Sequence, residues 1–242
     1  MYLWKCWRDT RSTFLFVLTT ILANSALGLF VHFDPFGWIA AKAEWPRTLW
    51  TTTTQALMLT MVGLTPVAGF VLGALGVGTE FEGRTADFLL TRPRSRRSLL
   101  WTSWAFGAAE MAALVILSIT MVWIGHIRGA AVNIRGMVGM SIVALVIYSI
   151  TYMMTTLTCS SRHGVSLGML IFMAYTGLGV WLQLWYEIKI PNMWDMVFSS
   201  GRREVMSAGF AGDLPVPAWF GWLAVCLLFT FVAQLAFERQ EA

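Results

Sequence analysis

The chain has 242 residues, of which 57% are hydrophobic and only 12% are charged. Soluble domains carry about twice that charged fraction, so the composition excludes an ordinary soluble domain and indicates an integral membrane protein of several spans. The formal net charge of +4 is small. Its placement matters more than its sum, because Lys and Arg beside spans set their orientation.

The first twelve residues predict an element of their own. Trp4 and Trp7 fall on one helical face, whereas basic residues recur every three positions from Lys5 to Arg11. This pattern is typical of a short helix that lies in the membrane interface, with tryptophans among the headgroups. The apolar run that follows continues beyond a weak cleavage-site sequence, so we expect an uncleaved anchor.

Six apolar stretches follow this helix and predict an all-α integral membrane protein. Each has about 19 to 27 residues, which suffices to cross a hydrocarbon core of about 30 Å as a helix. A cytoplasmic N-terminus places most of the basic residues in the shorter, inner segments, so both termini are expected inside. The predicted spans cover residues 13–31, 55–77, 99–125, 137–158, 165–186 and 216–237.

The longest outer segment, residues 187–215, contains the apolar stretch NMWDMVF from Asn192. This stretch is too apolar for a free loop and too short to span, which predicts a partly re-entrant helix or a cap. The three cysteines, Cys6, Cys159 and Cys226, have no CxxC or metal-like spacing. They are therefore predicted to be free thiols.

One charged segment interrupts the apolar sequence and reads GTEFEGRTADFLLTRPRSRR from residue 78. Thr79 precedes Glu82 by three residues, the spacing of a capping box, so a new helix is predicted to begin there. Phe88 and Leu89 give this helix an apolar face, and Pro93 stops it. A positive-inside loop explains the arginines but not the acids, the cap and the apolar face, which needs a partner or a membrane to cover it.

This segment resembles the membrane subunit of type-2 ABC transporters, in which an acid pair, Gly, Thr, an apolar pair and Pro-Ser-Arg follow the second of six spans. This chain has Arg84 between Gly83 and Thr85, where many members run Gly directly into Thr. The chain's close, FER from Phe237, is also similar to the family's. The matching residues are Glu80-Phe81-Glu82-Gly83-Arg84-Thr85, Phe88-Leu89-Leu90 and Arg92-Pro93-Arg94-Ser95-Arg96.

The resemblance implies that residues 79–97 hold a coupling helix that docks on a separate cytoplasmic ABC ATPase subunit, present in two copies. It further implies a second permease, either an identical or a related chain, and export across the bacterial inner membrane. ATP and Mg would bind the ATPase, while this chain would bind no cofactor and no nucleic acid and would not be an enzyme. The docking residues implied by the resemblance are Glu80, Glu82, Arg84, Phe88 and Leu89.

The resemblance also implies a translocation path along the first, second and fifth spans, lined by Asn24, Met58, Phe172 and Gln183. Glu110 joins these candidates because a carboxylate within a span is costly unless it is paired, protonated or hydrated. The alternative for Glu110 is a structural carboxylate packed against Asn24, Gln183 or Gln234. No metal site is predicted, because the histidines show no ligand spacing.

The second span carries Gly69 and Gly73 four residues apart, a spacing that lets helices approach closely and favours either bundle packing or a dimer contact. No GxxxxGK[ST] sequence occurs, so the chain is not itself a P-loop ATPase. Two other functions remain open. One is a membrane scaffold without transport, and the other is an ion-coupled secondary carrier that uses Glu110, a class that usually shows an internal repeat.

Overall fold

The computed structural model describes residues 2–33, 64–79, 81, 96–124, 134–186 and 216–239, and apart from one short turn these residues are helical. Six helices account for them. We number them in chain order: α1 Tyr2–Phe33, α2 Leu64–Thr79, α3 Arg96–Ile124, α4 Ile134–Thr158, α5 Ser161–Tyr186 and α6 Val216–Arg239.

Three of these helices are long and apolar enough to cross a membrane. The crossing stretches are Arg97–Ser118 in α3, Val138–Thr158 in α4 and Pro217–Arg239 in α6. These bounds lie within two residues of the third, fourth and sixth predicted spans, except that the stretch in α3 ends at Ser118, seven residues before the predicted end at 125. The predicted all-helical membrane class is therefore confirmed in the described part of the chain.

α4 is the central helix of the bundle, and it is held to α3 by two buried tyrosines. The Tyr148 hydroxyl donates to the Trp104 carbonyl at 3.1 Å, and the Tyr152 hydroxyl donates to the Leu100 carbonyl at 2.9 Å. A buried hydroxyl without a partner is costly, so each tyrosine fixes its own depth against α3. The two pairs run in opposite sequence directions, which makes α3 and α4 antiparallel.

The glycines of α2 face α4 within the same chain. A Cβ added at Gly69 would meet the Ala144 carbonyl oxygen at 2.9 Å, and one added at Gly73 would meet the Tyr148 carbonyl oxygen at 2.6 Å. Only a residue without a side chain permits this approach of two helix backbones. The interpretation of this glycine pair as a dimer contact is therefore wrong, because α4 occupies the glycine face.

α4 and α5 form a tight helical hairpin. Cys159, at the turn, has a positive φ of 52°, and the Gly164 amide donates to the Ser160 carbonyl at 2.9 Å to start α5. Cys159 is exposed, while Cys6 and Cys226 are buried, and all three are free thiols as predicted.

α1 corrects the prediction for the N-terminus. The structure has one uninterrupted helix over Tyr2–Phe33, so no helix boundary separates an interfacial element at residues 1–12 from a span at 13–31. Cys6 and Thr10 in the first turns are buried like Val17 and Ile21 further along. These four positions lie on one helical face, so the N-terminal turns continue the packing face of the helix.

Candidate functional site

The residues expected to dock on an ATPase lie outside the described part of the chain. Glu80, Glu82, Arg84, Phe88 and Leu89 all fall there, so their predicted role stays a prediction. Both ends of their segment are described, however. At these two ends the structure shows contacts of Phe81 and Arg97 with the end of α6.

Thr79, where the coupling helix is predicted to start, also ends the preceding helix. Thr79 is the last residue of α2, and its hydroxyl donates to the Leu75 carbonyl, one turn earlier, at 3.0 Å. This bond uses the one proton of the hydroxyl and leaves its lone pairs free to accept, and Glu82 lies outside the described residues, so the capping box stays a prediction. α3 in turn begins at Arg96, so the connecting segment is shorter than the predicted 79–97 at both ends.

The end of α6 contacts both ends of this connecting segment. Phe81 packs edge-on against Phe237, with ring centroids 6.1 Å apart. At the other end, Arg97 Nε lies 2.7 Å from Glu238 Oε1. We call these four residues the α6 anchor. Two adjacent residues of α6 thereby contact the charged segment near its start, at Phe81, and at its last residue, Arg97.

A chain of polar contacts extends the α6 anchor into the bundle. Gln234 Nε2 donates to Glu238 Oε1 at 3.0 Å, and Trp101 Nε1 donates to Gln234 Oε1 at 2.8 Å. Arg97 is exposed and Glu238 is half-buried, whereas Gln234 is buried. The amide oxygen and nitrogen of Gln234 each have one partner, so the buried amide holds Glu238 toward Arg97.

Glu110 is buried at the contact of α3 with α1. The Thr10 hydroxyl lies 2.7 Å from Glu110 Oε1 and 3.0 Å from the Cys6 carbonyl oxygen. No hydrogen-bond partner reaches the buried Glu110 Oε2 within the described ranges. Glu110 thus packs against a polar group inside the bundle, as the structural alternative proposed; that group is Thr10, while Gln234 contacts Glu238 and Trp101 instead.

Of the other residues of the predicted translocation path, the structure describes the side chains of Phe172 and Asn24. Phe172 is buried, and its ring packs edge-on against Phe70 of α2 at 5.9 Å. Asn24 is half-buried in α1, Gln183 lies in α5, and Met58 is outside the described residues. Phe172 and Glu110 thus belong to the packed interior, and no shared lining is visible among the described residues.

Sequence reasoning missed three of the residues that matter in this arrangement, namely Thr10, Trp101 and Arg97 as the partner of Glu238. Thr10 and Glu110 are separated by about a hundred residues, and neither stands in a recognisable motif. Of these contacts, only the one made by Glu238 could have been expected from the sequence, because Glu238 lies in the FER sequence that begins at Phe237. An arginine at the start of α3 is a natural partner for that carboxylate.

In its described part the chain is an all-helical membrane protein, with three helices that are long and apolar enough to cross a membrane. Glycines pack α2 against α4, and the α6 anchor lies at one end of the bundle. The chain belongs to the family described as a protein of unknown function, DUF2705, whose model matches residues 15–242. No curated protein matches the sequence.

Proposed function

We propose that this chain is the membrane-spanning subunit of an ATP-driven transporter of the type-2 ABC class, with six spans and both termini in the cytoplasm. The segment between α2 and α3 would contact a separate ATPase subunit, and two permeases and two ATPases would form the working unit. Export is the proposed direction. The resemblance of the GTEFEGRTADFLLTRPRSRR segment carries this proposal, and the α6 anchor supports it.

A coupling element has to transmit a movement without absorbing it. A segment fixed at both ends moves as one body with the helices to which it is fixed, whereas a segment free at one end bends instead. Phe81 and Arg97 hold the two ends on α6, and α6 packs on the central helix α4. A movement of the segment would therefore displace α2, α3 and α6 together, and α6 would in turn displace α4.

The tight packing of α4 extends this mechanical link. Gly73 of α2 and Gly168 of α5 both face Thr151 of α4. Helices in such close backbone contact shift as packed units and do not deform independently. In the proposed cycle, closure of the ATPases on ATP would move the bundle of one permease relative to the second permease and open the path between them.

The test of this proposal is a comparison of docking variants. Glu82→Ala combined with Phe88→Asp is expected to reduce ATPase association while the protein still inserts in the membrane. The matched control is Phe231→Asn, a substitution on the exposed face of α6 that leaves the docking segment intact. Association that is equal in the double variant and the control would contradict the proposed docking role.

Glu110 favours a second candidate, an ion-coupled secondary carrier, because a buried carboxylate with one oxygen unpartnered among the described residues is an intramembrane ion or proton site by default. The two functions differ in their energy source. Transport in proteoliposomes that persists under an ion gradient without ATP would establish the carrier and exclude the ABC proposal. Transport that requires ATP and the added ATPase subunit would support the ABC proposal and exclude the carrier.

A further inference from the structure

Glu110 lies in the middle of the membrane-crossing stretch of α3. With a rise of about 1.5 Å per helical residue, it is about 20 Å from Arg97 and about 12 Å from Ser118 along the helix. Its side chain is buried, and its neighbours Met111 and Leu114 belong to an apolar cluster. A carboxylate in such a place is costly unless an opposite charge or several hydrogen-bond donors compensate it.

The basic residues of α1 form no ion pair with Glu110 in the described part of the chain. Arg8 Nε lies 3.5 Å from the carboxylate of Asp9, and Lys5 has an interaction of its own. Arg11 is exposed, so its guanidinium is not in the buried contact. The charges of α1 therefore do not compensate a buried negative charge at Glu110.

The other helices of the bundle bring no cation to Glu110 either, as far as they are described. α2 contains no titratable residue over Leu64–Thr79. From α4, Tyr148 comes beside Gly107, one turn before Glu110, but its hydroxyl donates to a backbone carbonyl of α3 at 3.1 Å. Glu238 of α6 is paired in the α6 anchor, at the end of the bundle.

The Thr10 hydroxyl has one proton for two close oxygens. It lies 3.0 Å from the Cys6 carbonyl oxygen and 2.7 Å from Glu110 Oε1. Serine and threonine hydroxyls of these helices donate to the carbonyl four residues back, as Thr20 does in α1 and Ser118 in α3. With its proton on the Cys6 carbonyl, Thr10 can only accept, so the short contact with Glu110 needs a proton on the carboxyl group.

The second carboxyl oxygen also fits a neutral acid better than a carboxylate. Glu110 Oε2 is buried and has no hydrogen-bond partner within the described helices. An ionised carboxylate spreads its charge over both oxygens, and each of them would need donors. In the neutral acid this atom is a carbonyl oxygen, for which a missing partner costs less than it does for a charged group.

We infer that Glu110 is a proton-binding site, held as the neutral acid, whose Oε1–H donates to Thr10 while Thr10 donates to the Cys6 carbonyl. The bound proton thereby joins α3 to α1. Its release to water would leave two acceptors for one hydroxyl proton and an uncompensated charge on a buried group, so the contact between the two helices would open. The site does not depend on the proposed transport function, because it concerns only the charge of one side chain and the contact that this side chain makes.

Infrared spectroscopy of the full chain in proteoliposomes at neutral pH detects this proton directly. A neutral carboxylic acid has a carbonyl stretching band above the amide and carboxylate bands, and carbon-13 in the glutamate carboxyls shifts only the glutamate bands. The wild type is expected to show a label-sensitive acid band that Glu110→Gln lacks. Glu238→Gln, which removes the ion-paired carboxylate of the α6 anchor, is the matched control and should keep the band.

Thr10 variants assign this band without any change at Glu110. Thr10→Ser should leave the band in place, whereas Thr10→Val should move it to higher frequency, because the acid proton loses its acceptor. Gel filtration of each variant checks that it folds. A wild type without the band, or a band that neither Glu110→Gln nor Thr10→Val changes, would overturn the neutral acid.

The reactivity of the buried Cys6 thiol tests the opening of the contact. In a Cys159→Ser background, mass spectrometry of the Cys6 peptide measures labelling by N-ethylmaleimide with and without Glu110→Gln, from about pH 6 to about pH 9. Thiolate formation raises both rates, so their ratio reports the contact alone. The rate with Glu110 present should gain about tenfold on the rate in Glu110→Gln as the pH rises, because only the former contact opens. An unchanged ratio would overturn the proton as the element that holds α1 to α3.

Discussion

Replacement of Gly73 by alanine tests the close approach of α2 to α4. Alanine normally stabilises a helix by about 0.5–1 kcal/mol relative to glycine, because glycine loses more backbone freedom on folding. At Gly73 the added Cβ would lie 2.6 Å from the Tyr148 carbonyl oxygen and 3.0 Å from the Thr151 Cβ. The first of these atoms is backbone, so the helices must separate.

The expected magnitude combines these two effects. Overpacking of a fitted interface costs about 1–3 kcal/mol. After the gain in helix propensity, Gly73→Ala should lose about 1 kcal/mol of unfolding free energy. Gly177 in α5 is the matched control, because nothing lies within 4 Å of its added Cβ. Gly177→Ala should therefore keep the propensity gain of roughly 0.5–1 kcal/mol.

Thermal unfolding in one detergent measures this difference. Each kcal/mol moves the melting temperature of a chain of this size by about 2–4 °C, so Gly73→Ala should melt about 5 °C below Gly177→Ala. The sign of the difference is the diagnostic result. If Gly73→Ala melts at or above Gly177→Ala, the described packing of α2 against α4 is not the packing of the folded protein.

Three further substitutions test the polar contacts. Thr10→Val should lower the unfolding free energy by about 1–3 kcal/mol in denaturant titrations, while Thr10→Ser keeps the hydroxyl and the stability; equal losses would exclude the hydrogen bond as the cause. Glu110→Gln should impair transport but not ATPase assembly, and full transport by this variant would remove the carboxylate from the mechanism. Glu238→Arg should reduce ATP-driven transport and lower the melting temperature, because the variant loses both the ion pair and the acceptor of the buried Gln234 amide. Adding Arg97→Glu to the Glu238→Arg variant should restore transport. A double variant that still fails to transport would contradict the proposed role of the α6 anchor.

The helices were predictable because membrane-length apolar runs are a strong signal in a single sequence. α4 ends at Thr158 and α5 ends at Tyr186, both as predicted, since a polar turn and a change of composition mark these positions. The glycine spacing of α2 predicted a close approach but not its partner. A small-residue face has the same pattern whether it meets another helix of the chain or a second copy.

The polar contacts were not predictable, for two physical reasons. The Thr10–Glu110 bond joins distant parts of the chain through single side chains, and such a pairing leaves no periodic pattern. Thr79 shows the second reason. A threonine hydroxyl near a helix end can donate to the carbonyl four residues back and also accept from an amide of the next turn, so its place in the sequence does not fix which bonds it makes.

The central claim is that a separate ATPase drives this chain, and purification from native membranes tests it most directly. The tagged full chain is extracted in mild detergent, and quantitative mass spectrometry measures what co-purifies. The account predicts an ATP-binding subunit at one copy per permease, which is lost from the Glu82→Ala and Phe88→Asp double variant and kept by Phe231→Asn. The absence of any ATP-binding subunit at stoichiometric yield would contradict it.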